Sequence, residues 1–457
     1  MRINQINQRL ADYLRSLALV QADVICYTYF SSLGDEKSMS IKVETLQVRR
    51  QQVIDSMAEG SIAVILSGNL VLRSADQFHD FVVWRNFFYL TNIERANFAL
   101  VFVKSTVGTR ELLFIDEVSE LEEKWSGHRM KKAEASKLTG IEDTLIHGMP
   151  KLKKMLGSYM MNEGIVHGYF DLDRNSYNHL DTEQIAFAKE FQSQYPFMQL
   201  HNLYPVIAKM RQIKSDEEIA NIRTAIDKTR AGIEAMMKAS KPDMFEYELE
   251  SYYDFTTKMN GVQTLAFHTI AASGVNATVL HYLDNNTKVK DGDLILFDLG
   301  CAWCHYLADI SRTFPVNSKF TQRQKEVYQA VLDVEKTVIA AIKPGVEMAD
   351  LNKLARTELT GKCRELGLIG EDDDDISNYY YHTIGHSLGL DAHDVGGREF
   401  TLKPGMVITI EPGLYIEEEA IGIRIEDNIL VTEDGYENLS IAIIKEVDEI
   451  ETFMRMS

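Results

Sequence analysis

A helix-break-helix unit occurs twice in this sequence, the second copy displaced by 102 residues (Lys241-Pro242 against Lys343-Pro344). Ser215-Asp-Glu-Glu218 has the side chains of a capping box, and Ile219, Ile222, Ala225 and Ile226 then recur at helical spacing. Thr321-Gln-Arg-Gln324 repeats that signal and opens a helix with Val327, Ala330, Val331 and Val334 on one face. Leu249 comes after the first proline at the interval at which Leu351 comes after the second. An amphipathic helical pair cannot bury its apolar stripe alone. Residues 216–430 are therefore expected to fold as two related halves, each a helical hairpin followed by strands, packed against each other.

Each half carries acids on strand-like runs. Leu294 to Phe297 leads into Asp298, and eleven residues later Asp309 sits in a second strand-like stretch, Leu307 to Ile310. The Gly300–Tyr306 segment between them has the length of a hairpin connection, which would let the two carboxylates face each other across paired strands. In the second half, Met406-Val-Ile-Thr-Ile-Glu411 ends on a carboxylate and puts Thr409 and Glu411 on one face. Gly422-Ile-Arg-Ile-Glu426-Asp-Asn alternates so that Arg424, Glu426 and Asn428 oppose Ile423, Ile425 and Ile429. His382, His386 and His393 fall within twelve residues just upstream.

Each piece alone has an ordinary reading: a capping Asp, a solvated strand face, a histidine satisfied in a core. Together, Asp298, Asp309, Glu411 and Glu426 are four acids drawn from both halves, and burying them side by side requires a neutralising cation. Hard oxygen donors with one imidazole, His386, suit a pair of divalent ions. The carboxylate excess favours manganese, with cobalt or zinc as alternatives. Two such ions can share a water and lower its pKa.

Composition narrows the partners. The 457 residues imply two or three domains, and the formal net charge of -20 argues against nucleic acid or an anionic membrane as the main partner. Four cysteines (Cys26, Cys301, Cys304 and Cys363) are too few for a disulfide scaffold and fit a reducing cytoplasm. No apolar run reaches the length of a transmembrane helix. Residues 1–40 differ in character from the rest of the chain and read as an amino-terminal extension without a catalytic part. From 41 to 205, strand-like runs (Ile62–Leu66, Phe98–Val103, Glu111–Ile115, Ile165–Tyr169) alternate with helical stretches such as Lys131–Leu138 and Gln184–Gln194, the pattern of an α/β domain. Phe87, Phe88 and Tyr89 are expected in its core. Residues 206–457 form the remaining domain.

The motif set His281-Tyr282, Asp298-Leu-Gly, Asp309-Ile-Ser-Arg-Thr-Phe-Pro315, Gly385-His386-Ser-Leu-Gly-Leu-Asp-Ala-His393-Asp, Glu411-Pro-Gly-Leu-Tyr415 and Gly422-Ile-Arg424-Ile-Glu426-Asp closely resembles the aminopeptidase P and prolidase group of the pita-bread metallopeptidases. Val48-Arg-Arg50 and Asn86-Phe-Phe-Tyr-Leu90 resemble the amino-terminal domain of aminopeptidase P. The resemblance spans roughly residues 41–450. It implies an α/β amino-terminal domain ahead of an α+β pita-bread (creatinase/aminopeptidase-like) domain with an internal pseudo-two-fold repeat.

It further implies that Asp309 and Glu426 bridge two metals, that Asp298 completes one ion, and that His386 and Glu411 complete the other. Glu411 would move the proton of the attacking water. His281 and His393 would contact the scissile carbonyl, with His382, Arg424 and Tyr415 lining the substrate site. The implied substrates are peptides with proline at the second position, and the implied assembly is a homodimer or a dimer of dimers. A prolidase limited to dipeptides shares every ligand and stays open as an alternative. A non-catalytic binding relative would lack ligands, and all five are here. Cys301-Ala-Trp-Cys304, a C-x-x-C with no second pair, is read as structural or incidental, and the acidic run Glu371 to Asp375 as a solvated loop.

Overall fold

A six-stranded sheet organises the first part of the chain in the computed structural model, which describes residues 41–456 except 175 and 177. The extension 1–40, with Cys26, lies outside the described residues. Across the sheet the strands run Ile146–Gly148, Gly108–Ile115, Ala99–Ser105, Ser61–Leu66, His167–Phe170 and Gln199–Asn202. The two central pairings, Ser61–Leu66 with Ala99–Ser105 and Ala99–Ser105 with Gly108–Ile115, are antiparallel, and the outer pairings are parallel.

The adjacent strands Ser61–Leu66 and Ala99–Ser105 read as largely continuous apolar runs because both of their faces are covered. Ala63 and Ile65 point into one buried cluster, Ile62 and Val64 into another. Phe87, Phe88 and Tyr89 are buried on the helix Arg85–Thr91, as expected of core residues. The fully buried Arg50 ties this layer together by donating to the carbonyls of Leu90 and Thr139 and to Glu111.

The doubled unit is realised in the backbone. Ser215 and Thr321 both close capping boxes, on helices Asp216–Ala239 and Gln322–Ala340, and each helix pairs with a second, Glu246–Met259 or Met348–Glu365. Three hydrogen bonds recur between the halves. Asp243 N–H donates to Val289 as Gly345 does to Leu402, Glu246 to Thr287 as Met348 to Phe400, and Val289 to Met244 as Leu402 to Val346. The residues of these pairs on the helix side differ in number by 102 each time, the interval read from the sequence. Each helical pair carries a three-stranded sheet: Ile310–Pro315, Leu294–Leu299 and Ile270–Ser273 in the first half, Val407–Ile410, Asp427–Val431 and Tyr436–Asn438 in the second.

Three local expectations shift. The boundary placed between 205 and 206 falls inside the helix Tyr204–Arg211. The run Leu307 to Ile310 is not one strand: Tyr306–Leu307 pairs back on Ala302–Trp303, and a new strand begins at Ile310. The run from Gly422 to Asn428 also divides, because Ile421–Arg424 pairs with Gly413–Ile416 whereas Asp427–Val431 pairs with Val407–Ile410. Both segments are buried on both faces, so Arg424 and Glu426 are interior side chains rather than a solvated edge.

Candidate metal centre

The first pair of acids comes from one antiparallel ladder. Asp298 lies opposite Ser311, and continuing that register sets Asp309, just ahead of its strand, diagonally across from Asp298 on the same face. Their carboxyls interact directly. The expected facing pair is thus realised two residues off register, which keeps both on one face. A Cβ on Gly300 would overlap the Ala308 carbonyl, so a glycine lets the connection close this tightly. At its tip Cys304 and His305 take positive φ values of 48° and 67°. Cys301 and Cys304 are free thiols, the former buried with its sulfur 3.3 Å from the Tyr253 hydroxyl.

The second half contributes from two segments. Residues 384–388 run beside Val407–Ile410: Thr409 N–H donates to His386, Glu411 N–H to Ile384, and His386 N–H to the Thr409 hydroxyl at 3.1 Å. That ladder brings His386 Nε2 to 3.6 Å from Asp309 Oδ2 and to 3.6 Å from Glu411 Oε1. His386 Nδ1 lies 3.2 Å from the Ser387 carbonyl. Donation there leaves the Nε2 lone pair directed at the acids, the tautomer a metal ligand requires. Glu426 arrives where the halves meet, its N–H on the Ser311 carbonyl and its Oε2 accepting from the Ser311 hydroxyl at 2.8 Å. Asp309, His386 and Glu426 each present a ligand atom within 4.8 Å of the others.

Among the described residues, Arg424 is the cation that touches the set. Nη2 donates to Asp298 Oδ2 at 2.6 Å, Nε to the Ser311 hydroxyl at 2.8 Å, and Nη1 to the Tyr415 hydroxyl at 3.2 Å. His382 Nε2 meets the same Tyr415 hydroxyl at 2.8 Å, and its Nδ1 is 4.0 Å from Glu411. The His393 ring stands edge-on to His386 with centroids 4.3 Å apart. His281 precedes Tyr282, which packs against the cluster containing Tyr415, and its charge acts on both His382 and His393. Every site residue expected from the sequence therefore converges on one region. Arg424 differs in attachment, engaging the acids rather than open space.

The electrostatics call for a cation. Burial first, then the charges of Asp298 and Glu411, hold the Asp309 carboxyl far above its usual range. Glu426 is raised by burial and by Asp309, and burial pushes Glu411 up to about 8. Burial also lowers His386 and His382 to about 4, so both are neutral bases at neutral pH. One guanidinium cannot balance four acids, and Asp298 Oδ1 is buried without a hydrogen-bond partner among the described residues. An orphaned carboxylate oxygen beside raised acids and a neutral imidazole fits hard divalent cations.

Two supporting residues have no role assigned from the sequence, although Asn428 reads there on the face of Arg424 and Glu426. Ser311 links Glu426 to Arg424, and Asn428 brackets the Asp309 backbone, its Oδ1 accepting from the Asp309 N–H and its Nδ2 donating to the Asp309 carbonyl at 2.5 Å. Inward alternation from Asp309 through Ser311 to Thr313 could have marked the first. Beneath them Arg312 pairs with Asp427 at 2.7 Å, and Lys445 joins Asp427 to Glu335.

Residues 220–433 match metallopeptidase family M24, and residues 46–167 match the aminopeptidase P amino-terminal domain. The Xaa-Pro aminopeptidase of Escherichia coli strain K12 is 34% identical over 91% of this chain and 98% of its own length. Among solved structures, a Bacillus anthracis protein provisionally assigned as aminopeptidase P is 45% identical, with a TM-score of 0.89 over 91% of this chain and 99% of that one. A zinc-substituted E. coli aminopeptidase P in complex with product is 32% identical, with a TM-score of 0.82 over the same shares, 91% and 99%.

Proposed function

The chain belongs to metallopeptidase family M24 with an aminopeptidase P amino-terminal domain, and from that membership we propose that it is an Xaa-Pro aminopeptidase, a metallo-exopeptidase that releases one residue ahead of proline. The observation that carries this reading is the convergence of Asp309, His386 and Glu426, with Asp298 and Glu411 beside them, in one buried place. A divalent metal belongs there. We assign a pair of ions, manganese first, held by Asp298, Asp309, His386, Glu411 and Glu426. When bound, the ions acidify water and polarise the scissile carbonyl.

The chain's own groups do the rest. Glu411 accepts a proton from the attacking water as its oxygen bonds to the carbonyl carbon. It returns that proton to the proline nitrogen as the C–N bond breaks. His281 and His393 donate to the carbonyl oxygen as charge develops on it. His382 and Tyr415, bonded to each other, line the proline side. Arg424 holds Asp298 in place. The scissile amide before proline has no N–H, so selectivity comes from fitting the ring rather than from a hydrogen bond.

No helix among the described residues is long and apolar enough to cross a membrane, and cysteine usage supports the cytoplasm as the compartment. We place the chain in a homodimer or a dimer of dimers. Hydrolysis of Xaa-Pro substrates of increasing length, chelated and then reloaded with manganese, tests the proposal. Cleavage of Xaa-Pro-Xaa and longer peptides is expected, and a restriction to Xaa-Pro dipeptides would replace it with prolidase.

A further inference from the structure

Glu246 is fully buried at the first turn of the helix Glu246–Met259, yet five donors meet its carboxylate. Oε1 accepts from the Ser273 N–H at 2.7 Å, the Ser273 hydroxyl at 2.7 Å and Asn276 Nδ2 at 3.1 Å. Oε2 accepts from the Tyr282 hydroxyl at 2.9 Å and the Thr287 N–H at 2.8 Å. These donors are spread along the segment 273–287, which bears His281 next to Tyr282.

The repeat supplies an internal control. At the corresponding place in the second half stands Met348, also buried, and its N–H bonds Phe400 as the Glu246 N–H bonds Thr287. A methionine therefore satisfies this position in the fold. The fold does not require a carboxylate here: in the second half the loop that carries His393 is tied by Asp394 to Arg211 and Lys214, and in the first half the loop that carries His281 is tied by Glu246. The same loop lies against the site: a Cβ on Gly422 would overlap the Ala277 carbonyl, and Ala277 and Tyr282 pack in the cluster containing Tyr415.

We propose that Glu246 is the positioning residue for His281, holding the 273–287 loop so that the imidazole meets the scissile carbonyl. This rests on the role given to His281 under the proposed function. The requirement is for two acceptor oxygens, one for each backbone N–H. In Glu246→Gln the amide NH2 would confront a backbone N–H, that of Ser273 or that of Thr287, whichever way the side chain turned. A shorter Asp could not span both sets.

The test is a double-mutant cycle on the manganese-loaded full chain with an Xaa-Pro-Xaa peptide. Glu246→Gln is expected to lower kcat/KM on the order of 100-fold, mainly through kcat, as misplaced groups do. In a His281→Ala background the same change is expected to matter by less than about twofold. Tyr282→Phe, which keeps the carboxylate, should show the same coupling at smaller amplitude. Amide hydrogen exchange across 274–287 should speed up in Glu246→Gln. Equal fractional losses in both backgrounds, or unchanged exchange, would overturn the proposal. If the unmodified chain cleaved no Xaa-Pro bond, the functional reading would fall, and the exchange measurement would still decide whether Glu246 holds the loop.

Discussion

Arg424 donates from Nη2 to Asp298 Oδ2 at 2.6 Å, while Asp298 Oδ1 lies buried with no hydrogen-bond partner among the described residues. One oxygen is fixed by a guanidinium from the other half of the domain, and the second is left for a cation. The same guanidinium reaches Glu426 through the Ser311 hydroxyl. It thus orients two of the four acids at once.

Arg424→Lys keeps the charge but not the planar fork that spans Asp298, Ser311 and Tyr415. We predict a fall in manganese affinity on the order of 10- to 100-fold, as when groups that orient ligands are lost. Competition titration against a chelator measures it, and an unchanged affinity would remove Arg424 from that role.

Metal removal should make stability depend on pH. In the chelated protein Glu411 sits near 8, with Asp309 and Glu426 also raised, so the folded state binds more protons than the unfolded one above about pH 4.5. That contribution is fully present below the unfolded carboxylate pKa and is lost as pH rises through the folded values. The Tm of chelated protein should therefore decline from about pH 5 to 8, and the Tm gain on adding manganese should grow over the same interval. Parallel melting curves with and without metal decide it; a gain that shrinks with pH contradicts the assignment.

Glu411→Gln preserves shape and removes the proton acceptor. Turnover of an Xaa-Pro-Xaa peptide is expected to drop by roughly 10²- to 10⁴-fold, with the circular dichroism spectrum retained. Substantial remaining turnover would take Glu411 out of proton transfer.

Asp394, one residue past His393, is buried between Arg211 at 2.5 Å and Lys214 at 3.1 Å, and its N–H closes the loop onto the Ser387 carbonyl. Arg211 also bonds Asn86, which in turn bonds Asp171, so the histidine loop is tied to the amino-terminal sheet. Asp394→Asn leaves the buried Lys214 without a carboxylate and Arg211 with only the more exposed carboxylate of Asp391, and should cost about 3–5 kcal/mol. Urea unfolding reads the loss directly, and a change below about 1 kcal/mol would mean the cluster is not a structural tie.

Much of the site was legible because its chemistry is carried by residue type and short spacing. The capping boxes at Ser215 and Thr321, the acids ending apolar runs at Asp298 and Glu411, and the three histidines between 382 and 393 are all local patterns. The 102-residue echo was legible for the same reason, and the recurring backbone hydrogen bonds are its physical counterpart. Strand breaks were not. Asp309 falls in a gap because the chain folds back at Cys304 and His305, and the run through Arg424 and Glu426 divides because its two ends pair with different neighbours.

From the sequence alone came the donor set, the helical pairs and the family resemblance, since propensity, periodicity and ligand type act over a few residues. Which oxygen of Asp298 meets Arg424, that Ser311 joins Glu426, that Asn428 brackets Asp309 and that Glu246 gathers the His281 loop were decided by tertiary structure. Those bonds join residues tens to over a hundred positions apart. The first three exist only once the two sheets dock in one register, and the last only once the helix Glu246–Met259 packs against the 273–287 loop; no local preference along the chain encodes either alignment.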